Sequence, residues 1–363
     1  MNNNELSIYI HWPFCKSKCP YCDFFSRVKK NIDQDEIIKG YLQQLEIYAD
    51  KLKNRNIISV FFGGGTPSLI SPKNIELILQ KIDKLWSLTP SCEISLEANP
   101  NTQTPTLFAD LSLAGINRLS LGVQSLDDKQ LKFLGRTHNS KQALSAIDDV
   151  LKNFKNHSID LIYALPEQEL ENWLSQLSKI SSLGMKHISL YQLTIEENTL
   201  FYQKGIKALD EEKAAQLYLI TEDFLNSQKY HKYEVSNYAK TNFESIHNQT
   251  YWKGLDYIGI GETAHGRLKL DNKFYAITNP LQFEEISASE KAEELIIMGL
   301  RLKEGINKSI FKQICGLNFD NSINQSFKND MIEQKLLVET STNLKATKQG
   351  FLLLNYLIEG LCN

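Results

Sequence analysis

Three cysteines stand close together near the amino end, in the run Cys15-Lys-Ser-Lys-Cys19-Pro-Tyr-Cys22. Thiolates at this spacing can occupy three corners of a cubane iron–sulfur cluster and leave its fourth iron open. A structural zinc site closes with four ligands, and the next cysteine, Cys92, lies far along the chain. An iron with an open position can chelate a small molecule. The competing readings are a zinc knob or redox thiols. The remaining cysteines, Cys92, Cys315 and Cys362, are isolated. The N-terminus lacks the basic region and apolar core of a signal peptide, and no apolar run approaches a membrane span. A cytoplasmic chain is therefore expected, in which clustered cysteines point to metal or redox chemistry ahead of disulfides.

Two further groups of residues bear on chemistry. Gly63-Gly64-Gly65-Thr66-Pro67 follows an apolar strand at its C-terminal end, where barrel active sites are built. Glycines let backbone N–H groups approach a ligand closely. The Gly-Lys-Ser/Thr ending of a phosphate loop is missing. Farther on, His247-Asn248-Gln-Thr-Tyr251-Trp252 gathers an imidazole and two aromatic rings. A neutral imidazole is a good axial ligand for heme iron, and Tyr and Trp rings offer apolar surface to a porphyrin face. Taken alone, such a histidine is more often structural, and the chemistry does not say which residue would ligate the iron.

The elements that must position these residues are β-α units. Short apolar strands are expected near Leu6–His11, Ile57–Phe62, Glu93–Ala98, Arg118–Gln124, Ile159–Ala164 and His187–Leu193, with amphipathic helices such as Asp35–Lys53, Pro72–Trp86 and Glu212–Gln228 between them. Such a series implies a parallel sheet with right-handed crossovers. A central parallel strand is normally apolar on both faces. Here Glu93, Ser95, Glu97 and Asn99 alternate with apolar residues, as do Arg118, Ser120, Gly122 and Gln124. That alternation suggests a complete or partial α/β barrel with a polar, ligand-holding interior, the alternative being edge strands with one wet face.

Residues 1–240 are read as the barrel with its N-terminal cysteine loop. Residues 241–287 form a connecting region, read as structured loop with a short strand or two, and 288–363 a small, mainly helical domain. The chain has 363 residues, 17 Phe, 15 Tyr and net charge -3. This excludes a disordered chain and gives no reason to expect a nucleic-acid partner.

The run His11-Trp-Pro-Phe-Cys15 through Cys22, followed by Gly63-Gly-Gly-Thr-Pro67, resembles the radical S-adenosylmethionine superfamily. Within it, the chain is similar to the branch of the oxygen-independent coproporphyrinogen III oxidase and its heme-chaperone paralogues. The resemblance implies a partial (β/α)6-type barrel, a C-terminal domain of the oxidase type, and a [4Fe-4S] cluster on Cys15, Cys19 and Cys22. The cluster's open iron would bind S-adenosylmethionine, which an electron can cleave to a 5′-deoxyadenosyl radical. Tyr9, Tyr21, Gly64 and Glu97 match positions contacting that nucleotide. Gly65, Thr66, Gln124, Arg136 and Asp160 match positions touching a second S-adenosylmethionine in the oxidase; an ordinary buried Arg–Asp pair is the alternative for Arg136 and Asp160.

Three features divide the branch. The oxidase has a fourth cysteine where this chain has Phe24, and a long segment ahead of its cysteines that is not expected here. The chaperones carry the His-Asn-x-x-Tyr-Trp pattern of His247, Asn248, Tyr251 and Trp252. The resemblance therefore implies a chaperone rather than an enzyme: heme bound at that motif and handed to acceptor proteins, membrane-associated ones included, without a membrane span of its own. Decarboxylation of coproporphyrinogen is the alternative. Two departures stand beside the heme motif. Gly261-Glu262-Thr263-Ala264-His265 replaces Gly-Pro-Gly-Ala-His, and Thr241-Asn242 replace a Pro-Gly pair. His265 is a second candidate ligand.

Overall fold

Six strands alternate with helices through the first half of the chain: β1 (Glu5–Trp12), β2 (Asn56–Gly64), β3 (Glu93–Ala98), β4 (Arg118–Gln124), β5 (Asn156–Tyr163) and β6 (His187–Gln192). The structure, a computed structural model, describes residues 4–362 apart from 102, 103 and 105. Each strand pairs in parallel with the next, as crossover connections require. A further strand, β7 (Tyr257–Ile260), pairs in parallel with the other side of β1. The central order is β7-β1-β2-β3-β4-β5-β6, with short antiparallel strands added at both edges. Among the described residues this is an open sheet, a partial barrel and not a closed one.

The alternation read from the sequence sets the two faces. Leu96, Leu119, Leu121, Ile159, Leu161 and Ile188 are buried in the main core. Helix Gln34–Lys51, capped by Asp33, adds Ile38, Tyr41, Leu45 and Tyr48 at the three-to-four-residue spacing of one helical face. Helix Pro72–Trp86 starts on a Ser71 cap with proline in its first turn. Each such core side chain contributes about 1.5–3 kcal/mol of burial free energy. The polar partners on the same strands face the concave side, where Ser95, Arg118, Ser120, Ser158 and Ser189 line an internal cavity of about 230 Å³.

Residues 241–287 differ from the expectation of a loop. They hold helix Ile246–Trp252 and strands β7, 266–270, 273–277 and 283–286. The helix is only two turns long, too short for a periodic signal. Its start is fixed by non-local partners: buried Glu93 accepts from the His247 N–H at 3.1 Å and from the Ser245 hydroxyl at 3.2 Å. The strands are recruited by β1, distant in sequence. Residues 288–362 form helices Ala288–Gly299, Lys308–Cys315, Gln325–Glu333 and Leu354–Cys362 around their own core, with a three-stranded sheet. They dock through Lys303, whose N–H donates to the Tyr233 carbonyl at 3.0 Å and whose ammonium pairs with Glu222 at 3.0 Å. No helix among the described residues is long and apolar enough to cross a membrane.

Candidate functional site

The cysteine loop begins where β1 ends. Phe14–Cys15 pairs with Arg27–Val28, and the Arg27 N–H donates to the Pro13 carbonyl at 2.7 Å, closing the intervening residues into a ring. Inside it the Cys22 N–H donates to the Cys19 carbonyl at 3.1 Å. The glycine run seats this ring. Trp12 pairs with Gly64, which has φ +110, and a Cβ there would lie 2.6 Å from the His11 ring. A Cβ on Gly65 would lie 2.6 Å from the Phe14 carbonyl oxygen. Gly65 N–H donates to Trp12 and Thr66 N–H to Phe14, at 2.7 and 2.9 Å. The glycines are therefore needed first for close approach to the chain that presents Cys15.

Above this floor lies a cavity of about 340 Å³ bordered by Cys15, Cys19 and Cys22. The same cavity is walled by Tyr21, Gly64, Gly65, Thr66, Glu97, Gln124, Arg136 and Asp160. Residues from the loop and from five strand ends thus meet at the C-terminal edge of the sheet. Tyr9 sits one level lower, lining the internal cavity and hydrogen-bonded through its hydroxyl to His11 Nδ1 at 3.0 Å. Gln124 reaches the upper cavity because a bulge interrupts β4 between Gly122 and Gln124, and Gln124 takes φ +71. Bulges of this kind re-aim side chains beside functional sites. All three loop cysteines are free thiols. Among the described residues no three His, Cys, Asp or Glu side chains converge as a single-ion site. Three thiols spread along one cavity wall suit a multi-iron group held at three corners.

The charges are deep and interlocked. Burial, with Asp160 adding to it, pushes the Glu97 carboxyl up to about 8. One carboxylate oxygen accepts from the Gly64 N–H at 3.2 Å, and one face of the group borders the cavity. Burial also raises Asp160 above the usual carboxylate range, opposed by hydrogen bonds from Ser189 and Ser120. The Arg136 guanidinium donates to Cys19 Sγ at 3.3 Å, to the Gly122 carbonyl at 2.8 Å and to Asn99 Oδ1. Burial works against its charge, but Tyr21 and Cys19 beside it outweigh burial and raise its pKa. Arg136 pairs with Cys19 and Asn99 rather than directly with Asp160, whose carboxylate accepts from Ser120 at 2.9 Å. Burial raises the Cys22 thiol pKa, opposed by a backbone hydrogen bond at Phe24.

His247, Asn248, Tyr251 and Trp252 share one helix, but the imidazole is enclosed. His247 Nδ1 bonds Ser59 Oγ at 2.8 Å and Nε2 bonds the Tyr251 hydroxyl at 2.5 Å. Its ring stacks on Phe61 at 4.9 Å, and burial lowers its pKa to about 3. The cavity it lines, about 230 Å³, is below the roughly 300–1,000 Å³ of sites for drug-sized ligands. A heme does not fit there, and neither ring nitrogen is free for iron. Only Trp252 of the four lies away from this chamber, against the C-terminal helices. His265 is exposed.

Asn99, read from the sequence as an inner-face residue but not as a site residue, also walls the upper cavity, as do Tyr191 and Gln192. Asn99 continues the alternation of Glu93, Ser95 and Glu97, so its place was readable; Tyr191 and Gln192 end β6 and carried no such signal.

Residues 9–177 match the Radical SAM superfamily model and residues 286–353 the HemN C-terminal domain model. A protein named "Heme chaperone HemW" from Buchnera aphidicola (Acyrthosiphon pisum) is 37% identical over 98% of this chain and 97% of its own length. One of the same name from Haemophilus influenzae is 36% identical over 98% and 97%. Among solved structures, coproporphyrinogen III oxidase (HemN) from Escherichia coli shares the fold with TM-score 0.83 at 18% identity, over 99% of this chain and 90% of that one. The chain belongs to the HemW family of the radical S-adenosylmethionine superfamily.

Proposed function

We propose that the chain is a cytoplasmic heme chaperone that carries a [4Fe-4S] cluster, binds S-adenosylmethionine exchangeably and transfers heme to acceptor proteins, membrane-associated ones included. The observation that carries this reading is the meeting of three free thiols, the glycine turn, Glu97 and Arg136 at one cavity, in a chain related over nearly its whole length to proteins named heme chaperones. Cys15, Cys19 and Cys22 would hold the cluster. When bound, the cluster supplies an electron and an open iron to the nucleotide. Gly64, Tyr21 and Glu97 would bind that nucleotide, with Tyr9 supporting the floor through His11. A protonated Glu97 gives a hydrogen bond to a ribose, and an ionised one pairs with an ammonium. Gly65, Thr66, Gln124, Arg136 and Asp160 line the remaining wall, where a second nucleotide would sit. Arg136 donates to Cys19 Sγ and so helps to fix where that ligand points.

The test is anaerobic reconstitution with iron and sulfide, followed by S-adenosylmethionine binding and heme transfer to an apo-acceptor. Transfer that depends on all three cysteines supports the reading. Conversion of coproporphyrinogen III to protoporphyrinogen would replace it with the decarboxylase.

A further inference from the structure

We propose that heme docks on the outer face of the cysteine loop and that His265, not His247, takes its iron. This rests on the heme-carrying reading above. Heme makes three demands: apolar surface for a flat macrocycle, cations for its propionates, and a free donor atom for iron.

The histidines narrow the last of these. Seven are present, all among the described residues, and five are buried. His11 bonds Tyr9 and Phe25 through its two nitrogens, and His247 bonds Ser59 and Tyr251. His157 and His187 are buried on strands of the sheet, and His138 is buried just ahead of helix Ser140–Asn153. Among the described residues only His231 and His265 are exposed. His231 pairs with Ala239, which pairs with His187 at the start of β6, the end of the sheet opposite the cysteine loop. His265 follows β7 at its C-terminal end, the end at which the parallel neighbour β1 runs into Cys15.

Two contacts tie the 261–265 turn to the N-terminal loop. Gly261 packs so closely that a Cβ would lie 2.6 Å from the His11 carbonyl oxygen, and Glu262 pairs with Arg27. The loop supplies the other two demands. Phe25 and Val28 are 40% and 56% exposed, large apolar side chains of the kind that marks an interaction site, while Phe24, 61% exposed, borders the cavity above the cysteines. Arg27 lies over the Phe25 ring at 5.0 Å and its charge is met by Glu262, so the cations left for propionates are the exposed Lys29 and Lys30. Apolar surface, cations and a free imidazole thus occupy adjoining segments, while the enclosed His247 holds its helix to the sheet.

The test is a hemin titration of the full-length, cluster-reconstituted protein, read by the Soret band and by the iron's spin state. His265→Ala is expected to weaken binding about tenfold or more and to lose the imidazole-type spectrum, which added imidazole restores. His265→Tyr is expected to give an altered, oxygen-ligated spectrum, which reports ligation even if the alanine variant folds poorly. His231→Ala and His247→Gln should keep the wild-type spectrum. Phe25→Ser with Val28→Ser should weaken binding and leave the spectrum unchanged. Wild-type spectra and affinity in both His265 variants would overturn the proposal. Failure of the wild-type protein itself to bind hemin would overturn the heme-carrying reading instead.

Discussion

Replacing Gly65 with alanine tests whether the glycine run exists to seat the cysteine loop. The new Cβ would lie 2.6, 2.9 and 3.0 Å from the carbonyl oxygen, carbonyl carbon and nitrogen of Phe14. All three are backbone atoms, so no side chain can swing aside. Overpacking a rigid site costs about 1–3 kcal/mol. The displaced chain also strains the hydrogen bonds from Gly65 and Thr66 to Trp12 and Phe14, each worth about 0.5–1.5 kcal/mol. The expected loss is therefore about 2–4 kcal/mol by urea or thermal unfolding. Because Phe14 directly precedes Cys15, iron and sulfide content after reconstitution should fall as well. The control is Gly40→Ala, inside helix Gln34–Lys51, where a Cβ meets nothing within 4 Å. That variant should gain about 0.5–1 kcal/mol and keep its cluster. A Gly65→Ala protein with wild-type stability and full iron content would refute the reasoning.

Glu97→Gln should separate from wild type as pH rises. The folded value of about 8 lies above the ordinary 4.5, so the folded protein keeps a proton that the unfolded chain releases. Wild-type stability should decline relative to the variant between those two values, by at most about 1.4 kcal/mol per pH unit, and level off above them; a constant gap in chemical denaturation across that window would show that the carboxyl is ordinary. Thr263 holds φ +60, costly for a β-branched residue. Thr263→Gly should therefore stabilise the protein by about 1 kcal/mol, and an unchanged or lower melting temperature would contradict this.

Local pattern carried much of the fold. The six strands of the β-α series were legible from alternating or continuous apolar runs, and the polar face of Glu93, Ser95 and Glu97 is the concave face of the sheet. The cysteine spacing and the glycine run led to one cavity. What was illegible depended on distant partners. Helix Ile246–Trp252 is held by Glu93, and β7 by β1; neither shows in its own residues. The enclosure of His247 likewise follows from Ser59 and Phe61 on β2, far away in the chain. The two departures beside helix Ile246–Trp252 also have a physical reading. Glu262 pairs with Arg27, and Asn242 takes φ +71, which asparagine tolerates better than most residues.

Cys15, Cys19 and Cys22 are proposed to hold a cubane cluster with one iron open to S-adenosylmethionine. Electron paramagnetic resonance of the reduced, anaerobically reconstituted protein, before and after adding that nucleotide, tests it most directly. A [4Fe-4S] signal that shifts on addition, and is lost in the Cys19→Ala variant, is the expected result. A signal indifferent to the nucleotide, or protein that retains only zinc, would contradict the claim.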